Sequence, residues 1–127
     1  MDLETIRQVA MGLPEVTEAP HFDCGSFRVR GKIFVTLPPD GRHAHIFVDE
    51  QERLLGLAVH PGFAEPLLWG RKVLGLRVAL ANADPEAGRH WVVSAWRARA
   101  PKRLAAAFDR PQPRRDSARA GVGPRGG

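Results

Sequence analysis

The side chains in this 127-residue chain that could do chemistry are five histidines, one cysteine and nineteen lysines and arginines. His43 and His45 alternate along one short segment, and His21 lies three positions before Cys24, the single cysteine. Imidazole nitrogen and thiolate sulfur are zinc ligands, and a neighbouring cysteine and histidine are the start of a nucleophile–base pair. Neither pattern closes. No C-x2-C or H-x3-H pair completes a ligand set, and a working thiolate needs a base in reach and an oxyanion donor set. Ser26 follows Gly25 without a G-x-S-x-G context, and both phosphate-loop signatures, G-x-G-x-x-G and G-x4-G-K-[ST], are absent. The acids are scattered rather than paired. No catalytic residue, metal site or cofactor is therefore expected.

The cations are the stronger signal. Ser26 to Leu37 reads as two strands around Gly31-Lys32, with glycine at the first central position of a type II′ hairpin. That turn predicts the pairs Arg30 with Ile33, Val29 with Phe34, Arg28 with Val35 and Phe27 with Thr36. Phe27, Val29 and Phe34 then share an apolar face, while Arg28 and Arg30 look outward and Lys32 sits at the tip. Lysine and arginine on turns can neutralise phosphates and release counterions, which is affinity without sequence preference. No element carries base-reading side chains fitted to a groove, and aromatic interleaving for single strands is weak, since Phe27 and Phe34 fall on the core face and tyrosine is absent.

Net charge is +5, yet residues 110–127 hold +4 of it. The first 109 residues alternate in sign: −4 over 1–27, +3 over 28–48, −3 over 49–70 and +5 over 71–109. A patchy dipolar surface steers ligands more than the total charge does. The length fits one domain with a tail. No apolar run reaches the ~20 residues of a membrane span, the N-terminus lacks a signal peptide's order, and one cysteine allows no internal disulfide. A soluble, cytoplasmic monomer is expected.

The elements that must position these residues follow from capping and periodicity. Asp2 caps a first helix ending before Pro14. Residues 14–25 read as a loop because of Pro14 and Pro20. Strands follow near 26–30, 33–37 and 43–48, the last with Ala44, Ile46 and Val48 opposite His43, His45 and Phe47. Asp49 caps a second helix, with Glu52 reaching back. A short strand is expected near 67–69, a turn at Gly70-Arg71-Lys72 and a strand over 73–80; Pro66 argues against a central strand. Asp84-Pro85-Glu86 opens the last helix, whose Trp91, Val92, Ala95 and Trp96 share one side, and Pro101 interrupts it. Trp69, Trp91 and Trp96 read as core anchors, with Trp96 alternatively bordering an exposed groove. From Arg110 the chain has no periodicity, which predicts a disordered basic tail over 110–127 beyond a single domain of 1–109. The order α-β-β-β-α-β-β-α implies an α+β two-layer sandwich, a five-stranded antiparallel sheet with helices on one face.

Three stretches resemble the MmcQ/YjbR family of small bacterial proteins: Pro20-His21-Phe22 with Ser26 to Phe34; Trp69-Gly70 with Gly75 to Leu80; and Ala95-Trp96-Arg97 with Ala100 to Leu104. The resemblance runs over roughly residues 3 to 108. It implies a compact α+β fold related in shape to frataxin-like and secretion-chaperone-like folds, and DNA binding through two hairpin wings. Carried over by position, the wings are the Gly31-Lys32 and Pro38–Arg42 turns on one side and the Gly70–Lys72 turn on the other. The cations they offer are Arg28, Arg30, Lys32, Arg42, Arg71 and Lys72. The expected function is weak, largely sequence-independent DNA binding by a non-enzymatic protein. The alternative is a protein- or peptide-binding module using the sheet face or a groove beside the last helix.

Overall fold

The computed structural model describes residues 1–110. All but the first residue of the expected tail lies outside them. Helix α1 spans Leu3–Met11, and the Asp2 carboxylate accepts from the Thr5 amide at 2.9 Å. The strands β1 (Val16–His21), β2 (Cys24–Val29), β3 (Lys32–Leu37) and β4 (His43–Ile46) follow, then α2 (Glu50–Val59), capped by Asp49. The chain continues through β5 (Ala64–Trp69), β6 (Lys72–Ala79), a 3-10 turn, α3 (Pro85–Arg99) and α4 (Lys102–Asp109). The six strands form one antiparallel sheet in the order β1-β2-β3-β4-β6-β5. The architecture is the expected α+β one with two additions: a sixth strand and a fourth helix.

The sixth strand is β1, where the prolines predict a loop. Proline costs a sheet a ladder donor, but β1 is an edge strand and pairs only with β2, so Pro20 sits opposite Gly25 without breaking the ladder. Ser26 Oγ also donates to the Ala19 carbonyl at 2.6 Å. Pro66 is tolerated the same way, since β5 is the opposite edge and the strand begins at Ala64 rather than near 67. Beyond Pro101 the chain forms the separate α4 instead of prolonging α3, and the Asp109 carboxylate accepts from Arg97 at 2.7 Å.

The β2–β3 turn differs from expectation by one residue. Val29 pairs with Lys32, so the central residues are Arg30 and Gly31, at φ +52° and +80°. Two positive φ values make a type I′ turn, not II′. A bulge then intervenes: Arg28 faces Ile33 but Phe27 faces Val35, which leaves Phe34 as the extra residue. Beyond the bulge the faces of β3 are reversed relative to the expected pairing, because the extra residue puts Val35 opposite Phe27 instead of Arg28. Phe27, Val29, Phe34 and Val35 are all fully buried, and Thr36 pairs with Ser26 and His45 on the other face.

The core lies between the sheet and the helices. Ala44, Ile46, Leu76 and Val78 meet Ile6, Ala10, Val92, Ala95 and Trp96 there. Trp91 and Trp96 are core residues, at 3% and 0% exposure. The Trp96 indole donates to the Pro14 carbonyl at 3.0 Å and packs its ring against Phe108 of α4. Trp96 is thus covered and does not border an exposed groove among the described residues. Among the described residues no helix covers the second face of the sheet, which carries Arg28, His43, His45 and Arg77 around the buried Ser26 and Thr36.

Candidate nucleic-acid interface

Strand direction decides which cations meet. In an antiparallel sheet each connection lies at the end opposite to the one before it. β3 runs away from the Arg30-Gly31 turn, so the Pro38–Arg42 connection sits at the far end. β6 pairs antiparallel to β4 and so starts at the same end as β3. The β2–β3 tip and the β5–β6 tip therefore share one end of the sheet, about three strand spacings or ~14 Å apart. The expected grouping of Gly31-Lys32 with Pro38–Arg42 does not form. Arg42 lies a strand length, roughly 20 Å, from the tips, beside Asp40, which accepts its amide at 2.8 Å.

The six cations fall into four environments. Lys32, Arg71 and Lys72 are exposed at the tip end and make no ion pair among the described residues. Arg30, at the same tip, is bound by the Glu15 carboxylate, with Nη2 3.2 Å from Oε2. That pairing holds the Glu15 carboxyl below its ordinary value. Arg28 lies half-buried on the helix-free face, where Nε donates to Ser26 Oγ at 3.2 Å and Nη2 to the Pro20 carbonyl at 3.3 Å. Arg42 stands alone at the far end.

A polar network occupies the middle of the helix-free face. Arg77 Nη1 donates to His45 Nε2 at 2.8 Å; because arginine only donates, His45 carries its proton on Nδ1, which faces Thr36 Oγ1 at 3.3 Å. Burial, and then the Arg77 charge, push the His45 pKa down. His43 Nδ1 meets Asp40 Oδ2 at 2.7 Å, and Arg77 reaches Glu65 at 3.3 Å. The Arg42 amide and then the His43 ring hold Asp40 at about 2. A guanidinium lying against both imidazoles ties them into this network. Among the described residues no three potential metal ligands cluster.

His21 and Cys24 face each other across the β1–β2 turn. The His21 ring packs on Phe22 at 4.7 Å, and the thiol meets Asp23 at 3.7 Å. Burial, reinforced by the Asp23 charge, raises the thiol pKa, which is the reverse of what activates a nucleophile.

Below the polar network the sheet twists into a groove of about 570 Å³. Its walls are two diagonal corners: His21, Phe22, Asp23 and Cys24 at one, Leu67, Leu68, Trp69 and Leu74 at the other, with Thr36, His45 and Phe47 between. Leu74 is the extra residue of a second bulge, since Leu67 pairs with Gly75 but Leu68 with Val73. Trp69 is 73% exposed, Leu68 61% and Phe22 91%. Trp69 is thus a groove wall and not the core anchor its type predicts. Phe22 also holds φ +57°, an outlier for a bulky residue that costs about 1–2 kcal/mol. These aromatics give little sign in the sequence. Trp69 has an apolar neighbour at Leu68, and only the bulge and the edge position show that neither is covered.

A family model described as YjbR matches residues 11–98, from the end of α1 through all six strands into α3. The chain belongs to the YjbR family. All six candidate cations lie inside that match, as do Phe22 and Trp69. No curated protein and no solved structure matches the chain. No helix among the described residues of this YjbR protein is long and apolar enough to cross a membrane.

Proposed function

We propose that this YjbR-family chain is a non-enzymatic protein that binds nucleic acid weakly and without sequence preference, through the cations of its two hairpin tips. One observation carries the reading. Lys32, Arg71 and Lys72 project from the same end of the sheet, exposed and outside every ion pair among the described residues. Cations held this way contact phosphates by charge, which positions a nucleic acid without reading its sequence.

The test is charge reversal. Lys32→Glu, Arg71→Glu and Lys72→Glu together should abolish binding to a short DNA at low salt and leave the thermal midpoint nearly unchanged. Neutralising the three with Gln instead should flatten the slope of log K against log salt by roughly two to three units, at about 0.9 per phosphate. Arg42→Glu, at the opposite end, should change neither. Undiminished binding by the triple Glu variant would remove the tips from the function.

The groove favours a second reading, a peptide-binding module, because Phe22, Leu68 and Trp69 expose apolar surface there. Salt separates the two: phosphate contacts weaken steeply with it, apolar contacts do not.

A further inference from the structure

We infer that the groove on the helix-free sheet face takes the unpaired bases of a single-stranded nucleic acid, with Trp69 and Phe22 as stacking surfaces. This rests on the nucleic-acid reading above and names the form of nucleic acid. Trp69 pairs with Lys72 in the hairpin ladder, so a stacking ring and the phosphate-binding cations Arg71 and Lys72 stand on one turn. Stacking rings beside a cationic track are the general means of holding single strands. Across the groove, Phe22 is 91% exposed on a backbone at φ +57°. Between them lies about 570 Å³ of mostly apolar space, within the ~300–1,000 Å³ range of small-ligand sites.

Charge chooses the occupant. Asp23 is the one carboxylate on the groove's lining among the described residues, whereas Arg71 and Lys72 adjoin one wall and Arg28 lies on the strand leading to the other. A polyanion with flat apolar groups complements that distribution better than an apolar peptide does. In a duplex the base faces are already stacked on one another, so these rings are useful only to an unpaired strand.

The structure offers a built-in probe. Trp91 and Trp96 are buried, so of the three tryptophans only Trp69 is open to quenching by a bound base. The full-length protein is titrated with a short oligothymidylate and with a duplex of equal length, reading tryptophan fluorescence and, separately, anisotropy of a labelled strand. Quenching by the single strand is expected, with tighter binding than to the duplex. Trp69→Ala should weaken single-strand binding about tenfold, the scale of one lost base stack, and leave duplex binding unchanged. Because Trp69 is exposed, the variant should keep its thermal midpoint.

Equal affinity for both forms, or a Trp69→Ala variant that binds the single strand as before, overturns the inference while leaving the phosphate-contact reading in place. Binding of neither form at low salt overturns both. A hydrophobic peptide that quenches Trp69 where oligothymidylate does not assigns the groove to the peptide reading instead.

Discussion

His45 sits where burial and three charged groups compete. Desolvation and the Arg77 guanidinium disfavour its protonated form, His43 adds to them, and Asp40 alone opposes. Its folded pKa lies below the ordinary 6.5, so near that pH the unfolded chain binds the proton more readily. The His45 contribution to stability is therefore intact well above pH 6.5 and shrinks as the pH falls below it. Asp40 acts lower on the scale. Its carboxyl is held at about 2 against an ordinary 3.8, so its contribution stays complete above 3.8 and is lost as the pH drops through about 2. Urea midpoints measured from pH 8 to pH 2 should fall in two stages. His45→Gln should flatten the first stage and Asp40→Asn the second. A His45→Gln profile that tracks the unaltered protein between pH 7 and 5 would place the first stage elsewhere.

At the scale of elements, the two bulges matter most. Phe34 is the surplus residue in β3, and its bulge sends Val35 into the core and Thr36 to the face with His45. Leu74 is the surplus residue in β6, and the bulge places it on the groove. Next to it, Gly75 allows β6 to close on β4: a Cβ there would stand 2.3 Å from the Ile46 carbonyl oxygen and 2.9 Å from the Phe47 Cα. Both neighbours are backbone and cannot swing aside. Gly75→Ala should destabilise the fold by about 3 kcal/mol, at the upper end of ordinary overpacking costs, and distort the groove floor with it. Chemical denaturation checks the first effect. A loss under half a kcal/mol, on the order of a neutral surface change, would show that the strands can move apart.

For the whole molecule, charge is divided between the fold and the segment after it. Residues 1–109 carry a net +1 and residues 110–127 a net +4. On the proposed reading, two cationic regions act on one polyanion: the tip end of the sheet, and Arg114, Arg115, Arg119 and Arg125 beyond the described residues. Replacing those four arginines with glutamine should flatten the salt slope by roughly two to four units and leave measurable binding at low salt. It should not alter the single-strand preference proposed for Trp69. If binding vanishes altogether, the arginines after residue 110 were responsible for it, and the sheet is better read as a protein-interaction surface.

Local chemistry determines much of this protein directly. Asp2, Asp49 and Asp84 cap three helices where an aspartate ahead of an apolar period predicts it. Ala44, Ile46 and Val48 are buried opposite His43, His45 and Phe47, as strict alternation requires. Gly31 and Gly70 mark turns because positive φ is cheapest without a Cβ. Strand-to-strand relations are a different matter. Pro20 and Pro66 are compatible with strands only because β1 and β5 are edges, and being an edge is a property of the assembled sheet. The turn slips by one residue to Arg30-Gly31, and a bulge at Phe34 then swaps the faces of Val35 and Thr36, which local turn chemistry does not register. Which cations stand together depends on the direction of every intervening strand, so Arg42 parts from Lys32 although ten positions separate them and Arg71 joins it from much farther along. Trp69 has the side chain of a core residue; its place on the edge strand β5, beside a bulge, leaves it exposed on the groove that Phe22 lines from the other corner, which neither residue's neighbours announce.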